Sequence, residues 1–420
     1  MAEHADNVKV DVAVIGGGLA GLTAGATALR SGASVTIIES HSVGGRARST
    51  ERSGYILNEG GHALYHAGAA MRVLNELGVA LEGGPAPFEN PQLIWNGDLV
   101  PLPYNAARMA RSKLLSLRSK AVAARLFAIF EKPPKDSPGL SFGDWLEQRN
   151  TPDDLSKLVL ALARLGTYAA TPELWSASTI IRQLGLARRG VIYVDGGWQR
   201  IVEQLRDAVT GGGGQIVQRQ VVTDMTPAGQ SWRISTEQYT VTVRSVILAT
   251  GGPAVAAGLL GEDPGWTTAA GPVVRASCLD LAFDEVPSTM FVLGADEPLY
   301  LSRHAPAAKL APAGHSLYSA MRYLATDDEY TTDQNRAALK GHAQVAGLGQ
   351  HPTVERFLSS PIVCWGSPLA TLCRPTGLEA AHRGIFAAGD WVGPNLLADA
   401  SVESGALAAR AAAKHALARR

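Results

Sequence analysis

The sequence has little of what marks several protein classes. It holds three cysteines in 420 residues: Cys278, Cys364 and Cys373. They form no CxxC pair and no cluster with metal-ligand spacing. That argues against a disulfide scaffold or a structural zinc site and for a reducing compartment. Formal net charge is zero, so no general attraction to nucleic acid is expected. No run approaches the roughly 18 apolar residues that a spanning helix needs. The polar stretch Met1 to Lys9 lacks the apolar segment of a secretory signal. We therefore expect a cytoplasmic protein whose membrane contact is at most peripheral.

What is present fits a folded protein. Hydrophobic residues make up 46% and charged residues 18%, and the length suits two domains. Val10 to Ile15 is an apolar run with the composition of a buried parallel strand. Leu22 to Ser31 reads as a helix and Ser34 to Ile38 as a second strand, which makes a βαβ unit. Asn105 to Phe130 and Thr151 to Leu186 read as long helical stretches. Gly190 to Val194 reads as extended and Gly197 to Val209 as a helix. Gln215 to Met225, Ser231 to Ser235, Gln238 to Leu248, Arg275 to Phe283 and Tyr300 to Ser302 read as strands. A last strand, Gly384 to Ala388, precedes an alanine-rich helix from about Ser401 to Ala416.

The first strand runs into Gly16-Gly17-Gly18-Leu19-Ala20-Gly21, a GxGxxG turn. Gly16 permits the tight turn, Gly18 lets backbone approach a pyrophosphate, and Gly21 lets the helix pack on the strand. Glu39 ends the next strand, where a carboxylate accepts hydrogen bonds from ribose hydroxyls and repels a 2′-phosphate. Gly44-Gly45-Arg46-Ala47-Arg48 and Asn58-Glu59-Gly60-Gly61-His62 follow. Two arginines at a glycine turn suit phosphate.

These motifs resemble the flavin amine oxidoreductase superfamily, which includes amine oxidases, protoporphyrinogen oxidases and phytoene desaturases. Further along, Gly190-Val191-Ile192-Tyr193 with Gly196-Gly197-Trp198 resembles the desaturase-like branch, and Val246 to Pro253 resembles the strand that closes the FAD domain. Gly384 to Asp390 is similar to the family's C-terminal motif. The resemblance implies an α/β fold, a glutathione-reductase-like FAD-binding Rossmann domain with an inserted α+β substrate domain. Residues 1–85, 192–264 and 355–420 would form the first, and 86–191 with 265–354 the second. It implies non-covalent FAD, although Cys373 is a candidate for a covalent link. Gly44, Gly45 and Arg46 would lie along the pyrophosphate and Gly60, Gly61 and His62 beneath the isoalloxazine. Val222 would meet the adenine, and Gly389 with Asp390 the ribityl chain. Backbone amides near Ala398 to Ser401 would face flavin O2.

The reaction is less sharply marked. Amine oxidases of this superfamily flank the flavin with two aromatic side chains. One stands eight positions before the glycine of the C-terminal helix motif; counting back eight from Gly405 reaches Leu397. The other belongs around Trp365 to Arg374, and Arg374 itself is not aromatic. Trp365 and Trp391 could form a different cage. Lys309 does not stand where amine oxidases hold a lysine. His62, Trp365, Arg374 and Leu397 are therefore the candidate substrate-pocket residues, and an apolar substrate is expected. No catalytic acid or base stands out; His62 and His304 read as packing or hydrogen-bonding residues. The acid-free stretch from Leu99 to Phe130 carries Arg108, Arg111, Lys113, Arg118, Lys120 and Arg125. Its basic positions are not confined to one face, so a solvated cap is favoured over an interfacial membrane helix at 105–130.

Overall fold

The computed structural model describes residues 8–132, 139–367 and 373–419. Two sheets organise them. In the first, Val8–Ile15 is the central strand, parallel to Val35–Glu39 on one side and to Thr240–Leu248 on the other. Val12, Ala13, Val14 and Ile15 are all buried, as a strand covered on both faces requires. Gln215–Gln218 extends this sheet beyond Val35–Glu39. Thr240–Leu248 divides its outer edge. Its first half pairs antiparallel with Ser231–Ser235, while Val246 to Leu248 pair parallel with Ile385–Ala387.

Helices Leu19–Arg30 and Leu397–Leu417 pack on this sheet and on each other. Their contact is lined by small residues, and a side chain at Gly405 would place its Cβ 2.4 Å from the Ala20 carbonyl oxygen. Two backbones this close exclude any larger residue there.

The second sheet has eight strands and is mostly antiparallel. Val273–Phe283 pairs with Ser316–Leu324, which pairs with Leu299–Ala305. One face, with Leu279, Leu281, Leu301 and Ala320, is covered by Leu339 and Ala343 of helix Thr332–Val345. The other face, with Ala276, Cys278, Tyr300, Met321 and Tyr323, joins the core of the helices between residues 117 and 187. Residues 355–365, expected in the first unit, belong here: Val354–Leu358 and Ile362–Trp365 both pair with Val273–Phe283.

Other sequence expectations shift for local reasons. The single helix expected over 105–130 is two, Ala106–Arg111 and Leu117–Glu131. Ser112 is extended, and the Ser116 side chain accepts the Ser119 amide as a new N-cap. The stretch 151–186 breaks at Tyr168, which is left-handed at φ 59°, and again at Pro172. The strand expected over 215–225 stops at Gln218, because Arg219 turns the chain at φ 58°. The last helix starts at Leu397 rather than near Ser401. Among the described residues, no helix is long and apolar enough to cross a membrane.

The helix crossing yields a paired test. Gly405→Ala gains helix propensity yet must push Ala20 away, so unfolding stability should fall by about 1–3 kcal/mol. Gly341, inside helix Thr332–Val345, has nothing within 4 Å of an added Cβ. Gly341→Ala should therefore raise stability by roughly 0.5–1 kcal/mol. Urea titration of both variants reads the two signs.

Candidate functional site

The glycine turn comes first. At Gly16, φ is +108° and a Cβ would lie 2.2 Å from the Ala249 carbonyl oxygen; at Gly21 it would lie 1.8 Å from the Gly16 carbonyl oxygen. Both glycines are demanded by packing. Gly18 is not: a Cβ there meets nothing within 4 Å. Gly18 is also the N-cap of helix Leu19–Arg30 and supplies no side-chain cap. The first amides of that helix, at Leu19, Ala20 and Gly21, have no partner within the helix and face open space.

The neighbouring motifs converge on this point. The Gly44 amide donates to the Gly17 carbonyl at 2.8 Å, and a Cβ on Gly45 would lie 3.6 Å from Gly18 Cα. Glu39 accepts the Gly17 amide at 2.6 Å and the His41 amide at 2.8 Å. The Gln220 amide donates to the Glu39 carbonyl at 3.0 Å, which sets Val222 in the connection just beyond, half-buried.

Arg46 leads from this end to the next. Its guanidinium grips Asp390 through bonds of 2.8 and 2.7 Å and also reaches the Val363 carbonyl. The pair is not sealed, since the Arg46 side chain keeps 40% of its surface exposed. Arg48, expected near phosphate, instead bonds to Gly45 and Ser42. Asp390 also accepts the Trp365 amide at 3.0 Å. Gly389 is tied through its amide to Ser404 of the last helix at 3.0 Å. That helix opens with Leu397 at φ 56°, a conformation that costs a non-glycine residue about 1–3 kcal/mol. Ala398 and Ser401 follow on its first turns, and its N-cap, Leu396, offers no side-chain cap.

His62 joins the two halves, with ring nitrogens 2.9 Å from the Gly60 carbonyl and 3.0 Å from the Arg46 carbonyl. Above Gly60 and Gly61 lies one face of the second sheet. A Cβ on Gly61 would meet the Met321 sulfur at 2.6 Å, and one on Gly60 the Cys278 sulfur at 3.6 Å. Tyr168 donates its hydroxyl to the Gly61 carbonyl at 3.2 Å and packs edge-on against Tyr323 at 5.9 Å. The Tyr193 hydroxyl meets Ser302 at 2.8 Å, and its ring stacks on His304 at 4.0 Å.

Burial keeps these groups neutral. It raises the Tyr168, Tyr300 and Tyr323 hydroxyls well above their usual range. It pushes the Cys278 thiol up to about 12 and His304 down to about 3. The buried carboxylate of Asp280 is paired with Arg356 at 2.6 Å.

The sequence did not single out Tyr168, Tyr300 or Tyr323 as facing the site. A signal existed for two of them: Tyr300, Ser302 and His304, like Ser319, Met321 and Tyr323, recur at the period that lines one face of a strand.

The substrate-pocket candidates disperse. Leu397 is half-buried against the core below the second sheet. Trp365 lies against Gly252 and donates from Nε1 to the Gly251 carbonyl at 3.3 Å. Arg374 is taken up by the carbonyls of Asp390 and Asn395. Trp391 is a core residue packed at 5.7 Å from Trp266. Cys373 is exposed. Of the stretch searched for a second aromatic, residues 368–372 lie outside the described residues. Lys309 is on the surface, paired with Asp195 at 2.8 Å.

With this geometry in place, the chain can be set beside known proteins. Residues 11–343 match the FAD dependent oxidoreductase family. The chain belongs to that family. It is an FAD-dependent oxidoreductase, and the two-sheet architecture is an FAD-binding domain with an inserted substrate domain. Over 105 residues it is 40% identical to a 6-methylpretetramide 4-monooxygenase of Streptomyces rimosus, covering 24% of each protein. Over 112 residues it is 33% identical to protoporphyrinogen oxidase 2 of Arabidopsis thaliana, covering 26% of this chain and 22% of that one. These matches span only about a quarter of the relatives' length.

The fold is shared more widely. An oxidoreductase from Methanosarcina mazei superposes with a TM-score of 0.76 at 18% identity, over 95% of this chain and 99% of that one. Putrescine oxidase bound to putrescine gives 0.71 at 16%, over 96% and 98%. Cyclohexylamine oxidase from Brevibacterium oxydans gives 0.69 at 15%, over 98% and 100%.

Beside the start of the last helix lies a cavity of about 220 Å³ lined by Phe130, Arg182, Leu396 and Asp399. Burial raises the Asp399 carboxyl from 3.8 to about 6, against a bond from the Ala70 amide. Because the folded value is the higher one, the stabilising proton is held below about pH 4 and lost as pH rises through about 6. Asp399→Asn should remove that dependence. Between pH 5 and pH 8 the wild type should lose about 1 kcal/mol relative to the variant, read by denaturant unfolding at both pH values.

Proposed function

We propose that this oxidoreductase takes a hydride from a largely apolar small molecule, which also gives up a proton as the new double bond forms, as in a dehydrogenase or desaturase. The observation that carries the reading is the buried, neutral roof over Gly60 and Gly61. Cys278, Met321, Tyr168, Tyr300 and Tyr323 carry no charge there, and Leu397 adds an aliphatic wall. A charged amine entering such a site would lose hydration, and the carboxylates nearest Cys278, those of Asp280 and Glu59, are already paired with Arg356.

The residues that would hold FAD form a continuous path. Gly18, Leu19, Ala20, Gly21, Gly44 and Gly45 offer amides and open space to the pyrophosphate, and Glu39 offers carboxylate oxygens to the ribose. Val222 would border the adenine. Arg46 and Asp390 would border the ribityl chain. Gly60, Gly61 and His62 would line the ring, and Ala398 and Ser401 stand on the helix aimed at its O2 edge. FAD supplies the electron acceptor when bound. The chain itself positions substrate and excludes water. The half-buried apolar wall at Leu397 would hold substrate by dispersion. The exposed Leu117, beside Arg118 and Arg125, is where delivery from an anionic membrane surface would be sought.

Anaerobic mixing with isoprenoids, porphyrinogens and amines tests the reading through loss of flavin absorbance. It expects bleaching by an apolar compound and slow recovery in air. Rapid peroxide formation with an amine would establish an amine oxidase, the fold being shared with two of them. Product without net flavin reduction would establish a redox-neutral isomerase. With the bleaching substrate in hand, Leu397→Ala should cost about 1–3 kcal/mol in kcat/KM at unchanged FAD content. Leu397→Tyr should obstruct the same substrate; faster turnover with the tyrosine would favour the amine.

A further inference from the structure

The loop that enters the last helix is anchored in an unusual way. Its carbonyls are bound by guanidinium groups. Arg374 donates to the carbonyls of Asp390 and Asn395, and Arg182 donates to that of Pro394 at 3.0 Å. The helix that follows starts without a side-chain cap.

The charges around this loop do not cancel at Arg374. The Asp390 carboxylate is taken by Arg46 at 2.7 Å, and Glu403 is taken by Arg72 at 2.8 Å while also accepting from Asn395. Asp399, on the same helix, bonds the Ala70 amide. Among the described residues Arg374 hydrogen-bonds only carbonyl oxygens, with no partner for its Nε, and the Asp390 carboxylate that attracts it is the one already held by Arg46. A guanidinium is costly to bury without a carboxylate of its own, and structural anchoring of two carbonyls needs no charge. Burial holds Arg374 down to about 10, so the cation persists at neutral pH.

We propose that Arg374 is a positioning residue that also sets the flavin potential. Arg46 and Arg374 share the one carboxylate of Asp390, and the positive charge left over adds to the helix N-terminus and favours FAD carrying the extra negative charge of the reduced form. This places a fixed cation where charge develops. The inference rests on FAD lying at the start of this helix. Protein without FAD would fail that reading, whereas FAD bound at an unshifted potential fails this one alone.

The test is the midpoint potential of the bound flavin in wild type, Arg374→Gln and Arg374→Lys, with FAD content and thermal unfolding measured alongside. Wild type should hold reduced FAD at least about tenfold more tightly than oxidised FAD, a potential about 30 mV above that of free FAD. Arg374→Gln, which keeps donors but not charge, should lose about that tenfold preference. Arg374→Lys should retain it. A wild-type potential at or below that of free FAD overturns the proposal, whatever the variants do. So does a glutamine variant with unchanged potential, or a lysine variant that falls as far as the glutamine one.

Discussion

The structure turns on the uncapped first turn of helix Leu19–Arg30 and the open space beside it. The strand before it is buried on both faces and ends in a turn that packing holds to glycine at Gly16 and Gly21. The helix then begins with free amides and no side chain to cap them. A helix end left in that state is stabilised by a negative group supplied from outside. The Gly44–Gly45 loop comes up beside Gly18 without filling the space above it. From this point the path runs through Arg46 to Asp390 and on to the last helix, each link made by a short hydrogen bond.

The two sheets divide the work. The first carries open amides, carboxylates and arginines, the groups that hold a charged dinucleotide. The second lowers an apolar, aromatic face onto Gly60 and Gly61, where the titratable side chains are kept neutral by burial or paired. A charged floor under a neutral roof suits the proposed pairing of a highly charged cofactor with a poorly charged substrate. Tyr168 and Leu397, both left-handed, pack against the core beneath that roof. Strain of this kind persists where the surroundings over-determine a residue.

Much of the floor was legible in the sequence, because backbone function leaves its mark as glycine. The turn at Gly16 to Gly21 and the acid Glu39 could be placed by spacing, and the paired glycines at 44–45 and 60–61 by resemblance to a family. The roof was harder. Its residues come from Tyr168, Tyr193, Tyr300, Met321 and Tyr323, separated in sequence and brought together only by strand pairing. The partners of the arginines were hidden for a related reason. The long side chain of Arg46 reaches Asp390 across 344 positions of sequence, and Arg374 reaches backbone carbonyls. The break at 112–116 went unread because serine favours a cap there over helix continuation.

The central claim is that the space above Gly18 belongs to the FAD pyrophosphate, and Gly18→Ala tests it most directly. Gly18 has φ −75° and ψ −172°, open to any residue, and its added methyl would touch no protein atom within 4 Å. Deflavinated Gly18→Ala protein should therefore unfold at the wild-type denaturant midpoint. Titration with FAD should then show affinity weakened about tenfold or more, at least 1.4 kcal/mol. Wild-type FAD affinity in that variant, with its fold intact, would contradict the account.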